Sequence, residues 1–165
     1  MDLDPKLDLQ QLRDIDVPIA DVWRAWTQPE VLKQWFCPRP WKVVECDIDL
    51  RPGGVFRTVM QSPEGRNMPA GAGAYLVVET GKRLVWTNAL GPGFRPNPPP
   101  PEDTPAGFVF VVDLTLEALA AGRTRYRARV MHASEAARDA HAAMGFDQGW
   151  NTALDQMVQL MKPGS

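Results

Sequence analysis

An α+β fold follows from three features of the sequence. Short segments with period-two alternation recur along most of its length, two short amphipathic segments follow the first of them, and a long apolar stripe at helical spacing comes last. In that order they predict a curved antiparallel sheet of about six to seven strands, with the helices on one face and the terminal helix packed across it. The stripe is the most informative. Leu154, Met157 and Met161 follow Trp150 at spacings of four, three and four. A helix from Gly149 to Met161 would run roughly 20 Å. Trp150 on its buried face is either a core anchor or a cavity wall, and the pattern allows both.

Taken in order, Leu7, Leu9 and residues 12–17 suggest a first strand, polar enough to lie at a sheet edge, and Pro18 ends it. Ile19, Val22, Trp23 and Trp26 are spaced as a short amphipathic helix over Ile19–Thr27. Pro29 opens a second short helix over residues 30–36, since its missing N–H costs nothing at a helix start. Cys37-Pro38-Arg39-Pro40 stops it. Residues 43–50 alternate, with Val44, Cys46, Ile48 and Leu50 on one face and Glu45, Asp47 and Asp49 on the other. Arg51-Pro52-Gly53-Gly54 turns the chain into a strand over residues 55–61.

Strands over residues 71–79 and 84–88 flank a hairpin turn at Thr80-Gly81-Lys82. Residues 108–117 place Phe108, Phe110, Val112, Leu114 and Leu116 on one face. After a turn at 120–123, residues 123–132 send Arg123, Arg125, Arg127 and Arg129 outward and Tyr126, Ala128, Val130 and His132 inward. Ser134 caps a helix beginning at Glu135, and Gly145 breaks it before the main helix. The Pro-rich stretch 91–107 suits neither helix nor sheet. It reads as a long loop, either a surface insertion or a lid over the sheet's open end with Phe94 as its apolar plug.

The chain's 165 residues suffice for a single domain with a real core. Apolar residues make up 44% and charged residues 23%, a globular rather than a disordered mixture. A formal net charge of -2 gives no overall pull toward nucleic acid or an anionic membrane, so neither partner is expected. The start, Met1-Asp2-Leu3-Asp4, lacks the basic and apolar regions of a signal peptide, and no apolar run is long enough to insert in a membrane. Cys37 and Cys46 fit a reducing compartment, so the expected location is cytoplasmic.

No catalytic constellation stands out. Ser62, Ser134 and Ser165 lie outside any nucleophile-elbow pattern. His132 and His141 lack the cysteines or carboxylates that would complete a zinc set, and no Gly-x-Gly-x-x-Gly opens a helix, so neither metal nor cofactor is expected. His132 is in phase with the apolar face of its strand. It is either a hydrogen-bonded histidine at the sheet edge, or a polar anchor for a ligand head group or a general acid/base. His141 reads as facing solvent or packing on Met144, and Arg51 as a solvated arginine at a bend or, in a cavity, a bidentate partner for a carboxylate.

Four stretches carry a likeness to a known family. Residues 17–36 resemble its opening helix pair ending in Trp35-Phe36. Residues 47–57 resemble its strand-turn-strand with the paired Gly53-Gly54, and Arg83–Thr87 a mid-sheet strand. Gly145-Phe146-Asp147-Gln148-Gly149-Trp150 with Leu154 resembles its terminal-helix entry. Together, over about residues 8–162, they identify the chain as similar to the START-like (SRPBCC) superfamily, in the branch of homologues of the activator of the heat-shock chaperone ATPase. The resemblance implies a helix-grip fold. Relatives in this superfamily bind apolar ligands, cyclise polyketides or touch a chaperone. True activators carry an extra N-terminal domain, whereas this chain reads as one domain.

Strand phase, helix phase and the resemblance together suggest a cavity between sheet and terminal helix. Candidate lining residues on the helical segments are Trp35, Phe36, Trp150 and Met157. On the strands they are Phe56, Met60, Trp86, Phe108, Phe110, Tyr126 and His132. The expected function is binding of a small apolar or amphipathic ligand. The alternatives are an enzyme of the polyketide cyclase or hydrolase type in the same cavity, and a chaperone-interacting homologue of the ATPase activator. A two-fold homodimer is the default assembly for such a domain.

Overall fold

A computed structural model of the chain describes residues 2–98 and 109–162. Strand β1 (Asp8–Ile15) is followed by helices α1 (Ile19–Thr27) and α2 (Pro29–Leu32). A meander comes next: β2 (Lys42–Ile48), β3 (Val55–Gln61), β4 (Gly71–Glu79), β5 (Arg83–Thr87), β6 (Phe110–Leu119) and β7 (Arg123–His132). Helices α3 (Glu135–Ala143) and α4 (Phe146–Met161) close the chain. All seven strands form one sheet in the order β1-β7-β6-β5-β4-β3-β2, with every pairing antiparallel. The chain therefore leaves one sheet edge after β1, crosses on α1 and α2, and enters the opposite edge at β2.

The two faces follow the alternation. On β7, Thr124, Tyr126, Ala128, Val130 and His132 are buried, while Arg123, Arg125 and Arg127 are exposed. The outer arginines meet carboxylates of the neighbouring strand β1, Arg125 with Asp14 at 2.9 Å and Arg129 with Asp8 at 2.7 Å. The Arg125–Asp14 pair is open to solvent and contributes at most about 1 kcal/mol, whereas the Arg129 and Asp8 side chains are only 13% and 3% exposed. The outer face is thus charge-matched, and solvated except around the Arg129–Asp8 pair.

Helix α4 packs on the inner face through Phe146, Leu154, Met157 and Met161, all buried. Burying a side chain of this size contributes roughly 2–3 kcal/mol. Two polar ties hold α4 to the edge strand: Gln11 Nε2 donates to Asn151 Oδ1 at 2.9 Å, and Arg13 pairs with Asp155 at 2.8 Å. Among the described residues no helix is long and apolar enough to cross a membrane.

Four local expectations shift. In β2 a bulge between Val43 and Glu45 slips the pleat, so Val43, paired with Met60, takes the inner face in place of Val44. Leu50 lies beyond the strand and is exposed. Helix α2 ends at Leu32, though the Trp35 and Phe36 amides still donate to the Leu32 carbonyl. Helix α4 begins at Phe146, one turn earlier than the stripe suggests. Gly145 takes the left-handed φ of 93° that separates it from α3, and the Phe146 and Trp150 rings then pack 4.9 Å apart on one face. The cap at Ser134 forms as expected, its hydroxyl accepting from Ala137 N–H at 3.1 Å.

Phe94 is not a plug. It sits half-exposed against Gly53, where an added Cβ would lie 2.7 Å from its ring, and the Gly93 amide donates to the Gly53 carbonyl. Residues 99–107 of the Pro-rich stretch lie outside the described residues.

Candidate functional site

Between the inner sheet face and the layer formed by α1, α2 and α4 lies a cavity of about 460 Å³. Glycine makes room for it. Gly71 and Gly73 stand in inner-face phase opposite Thr58 and Phe56, and Gly149 occupies the inner face of α4 one residue before Trp150. The walls are aromatic. Trp86 meets Phe56 edge-on with ring centres 4.8 Å apart and Phe110 at 5.7 Å. Trp26 meets Trp35 at 5.2 Å, and Phe36 meets Phe56 at 5.8 Å.

Exposure gives the cavity a direction. Tyr126 and Trp26 are 1% and 2% exposed and form its closed end. Met144 is 57% exposed, Gly71 is exposed, and Met60 and Asn88 are partly exposed, so these lining residues mark the open side. Gln156 of α4 secures the α2–β2 loop along one side. Its Nε2 donates to the Trp35 and Cys37 carbonyls, and its Oε1 accepts from the Arg39 amide.

Eight of the sequence-predicted residues line this space: Trp35, Phe36, Phe56, Met60, Trp86, Phe110, Tyr126 and Trp150. Met157 does not; it is fully buried further along α4, in the core. His132 does not line it either, because His141 stands in front of it. Phe108 lies outside the described residues. Sequence reasoning missed Trp26, Gln11, Thr58 and His141. The phase of Thr58, two residues from Phe56 and Met60, was the one available signal.

His141 is 8% exposed and lies among Phe110, Phe146 and Trp150, which corrects the expectation that it faces solvent. The apolar residues of α3 are all alanines, so the buried side that carries His141 emerges only when the helix packs against β7, α4 and β1. His132 Nδ1 lies 2.9 Å from the Leu7 carbonyl, and its Nε2 lies 2.9 Å from His141 Nδ1. A carbonyl only accepts, so Nδ1 of neutral His132 carries the proton. His141 Nδ1 then donates to His132, and Nε2 of His141 bears the lone pair.

Burial, then the neighbouring His132, pushes His141 down from 6.5 to about 4. Between those values the unfolded chain binds a proton that the folded chain excludes. The contribution is therefore complete above pH 6.5 and is lost as pH falls toward 4. We expect it to amount to roughly 3 kcal/mol, taking about 1.4 kcal/mol per unit. Urea unfolding at pH 7 and pH 4.5 should show a smaller loss in His141→Gln than in the parent. Equal losses would count against the buried neutral histidine.

The thiols are poor nucleophiles. Burial pushes Cys37 up to about 11, and burial with the adjacent Asp47 carboxylate pushes Cys46 up to about 11. No Lys, Arg, Asp or Glu lines the cavity among the described residues. The arrangement can therefore hold an uncharged apolar body and offer it a few neutral hydrogen bonds.

Comparison with known proteins adds a lineage to this geometry. A family profile described as Activator of Hsp90 ATPase homolog 1-like protein matches residues 16–162. The chain belongs to that family. Its sheet, crossing helices and terminal helix are the helix-grip arrangement of the START-type superfamily. A protein of Nitrosomonas europaea with a solved structure is 42% identical over 96% of both chains, with a TM-score of 0.87. A Mycobacterium smegmatis protein is 24% identical over 97% of this chain and 93% of its own, with a TM-score of 0.76. An Arthrobacter aurescens protein is 23% identical over 97% and 89%, with a TM-score of 0.79. The latter two speak to the fold alone. Among curated proteins none matches the chain significantly.

Proposed function

We propose that this family member is a binding protein for a small apolar or amphipathic molecule held between the sheet and α4. The cavity of about 460 Å³ carries the reading. It falls within the range of about 300–1,000 Å³ typical of ligand pockets, whereas ordinary protein cores pack with few voids larger than a water. Its aromatic walls, with Met60 and Met144 toward the open end, suit an adaptable apolar fit.

Native mass spectrometry of freshly purified protein, beside a denatured sample, tests this directly. An additional mass that disappears on denaturation is the expected result. An apo mass, together with no thermal stabilisation across fatty-acid and aromatic compounds, would sink the reading.

One observation favours an enzyme of the cyclase or hydrolase type in the same cavity. His141 at the wall is backed by His132 and the Leu7 carbonyl, an array in which His141 Nε2 takes up a proton without breaking either hydrogen bond behind it. On that reading His141→Ala abolishes turnover of a bound substrate while affinity changes only a few-fold. Unchanged turnover would remove it.

A further inference from the structure

The polar groups at the closed end narrow the ligand class. Tyr126 stands on β7 with its ring in the cavity wall and its oxygen accepting from Trp26 Nε1–H at 3.0 Å. A phenol has one hydrogen of its own, and no acceptor among the described residues receives it. The residue is 1% exposed. A buried O–H left in this state is costly, and the hydrogen bond arriving from Trp26 polarises it into a better donor. Burial also raises its pKa, so the hydroxyl stays protonated and remains a donor.

A second donor points the same way. Trp86, on the inner face of β5, is 8% exposed, and its Nε1–H has no hydrogen-bond partner. Among the described residues the lining offers no cation to balance a buried carboxylate or phosphate and no anion to balance an amine. A charged group seated at the closed end would lose its hydration with no compensating partner.

We propose that the cavity selects an uncharged, mostly apolar molecule bearing a carbonyl-type oxygen, and that the Tyr126 hydroxyl donates a hydrogen bond to that oxygen at the closed end. This rests on the ligand-binding reading above and adds a head group and an orientation to it. The apolar body then lies along Trp86, Phe56 and Phe110 toward Met144 at the mouth.

The test uses 9-fluorenone and fluorene, which share a tricyclic frame and differ by C=O in place of CH₂. By equilibrium dialysis, the full-length protein should bind fluorenone about tenfold more tightly than fluorene, the scale of one well-made hydrogen bond. Tyr126→Phe should bring that ratio to about one. The carbonyl stretch of bound fluorenone should also move to lower wavenumber than in an alkane solvent. If Tyr126→Phe fails to fold because Trp26 loses its acceptor, Trp86→Phe supplies the check. The shifted stretch should persist in it, and its loss there would reassign the donor and overturn the proposal.

A ratio near one in the parent protein, an unshifted stretch, or a ratio untouched by Tyr126→Phe would also overturn it, while leaving ligand binding intact. If neither compound binds, the proposal fails. An apo mass in the native spectrum would then take the binding reading with it.

Discussion

Gly149→Phe is expected to abolish ligand retention without loss of stability. Gly149 lies inside α4 and lines the cavity, and a Cβ built on it meets nothing within 4 Å. A phenyl group there enters the space that the proposed ligand occupies, so affinity should fall at least about 100-fold, or about 2.8 kcal/mol. Helix propensity works in the opposite direction, since replacing an interior glycine with phenylalanine gains about 0.5 kcal/mol. The expected result is a Tm equal to or above the parent's, with the extra mass missing from the native spectrum. Retention of the ligand at full occupancy would mean that it sits elsewhere.

Gly54→Ala is the largest stability loss we expect from adding a single methyl group. A Cβ at Gly54 would collide with the Asp49 carbonyl oxygen and come within 2.9 Å of the Arg51 carbonyl oxygen. Neither can retreat easily. Asp49 N–H donates to the Val55 carbonyl, Gly54 N–H to Arg51, and Tyr75 N–H to Gly54, so turn and strand are laced together. A backbone shift of this kind should cost roughly 3 kcal/mol. For a chain of this size that lowers Tm by about 6–12 °C. Gly81→Ala is the contrast: its φ of +72° is unfavourable for alanine but its surroundings are open, so about 1–2 kcal/mol is expected there. Equal losses at the two positions in denaturant melts would show that the collision at Gly54 is relieved.

The clash also gives the paired glycines a physical role. Gly53 needs φ +79° and lies under the Phe94 ring, whereas Gly54 needs room for a carbonyl. In the sequence, Arg51-Pro52-Gly53-Gly54 reads only as a turn. Its tight packing appears once β3 and β4 are paired and the Phe94 loop folds over it.

Where alternation is unbroken, as in β7, the inner and outer faces match the sequence reading residue for residue. Where a bulge intervenes, as at Val43 to Glu45, the reading slips by one residue. A period-two pattern assumes a regular pleat, and a bulged strand has one residue without an opposite partner. The cavity wall shows the same division. Aromatic residues in clear strand phase are legible, as Phe56, Trp86 and Phe110 show. Trp26 is not: helix phase says that it is buried, without saying what it is buried against.

The sequence by itself determined the order and type of the elements, the sheet-edge character of β1, the outward arginine row and the family. The first three rest on local periodicity and on turn and cap residues, which act over a few positions, and the family on the resemblance of residues 17–36, 47–57, 83–87 and 145–154. Only the tertiary structure decided that the aromatic set encloses a cavity, that His141 stands before His132, and that Trp26 donates to Tyr126 across a separation of 100 residues. Enclosed volume depends on how far apart the helix layer and the sheet settle. That distance depends on all their side chains at once, the missing ones of Gly71, Gly73 and Gly149 included.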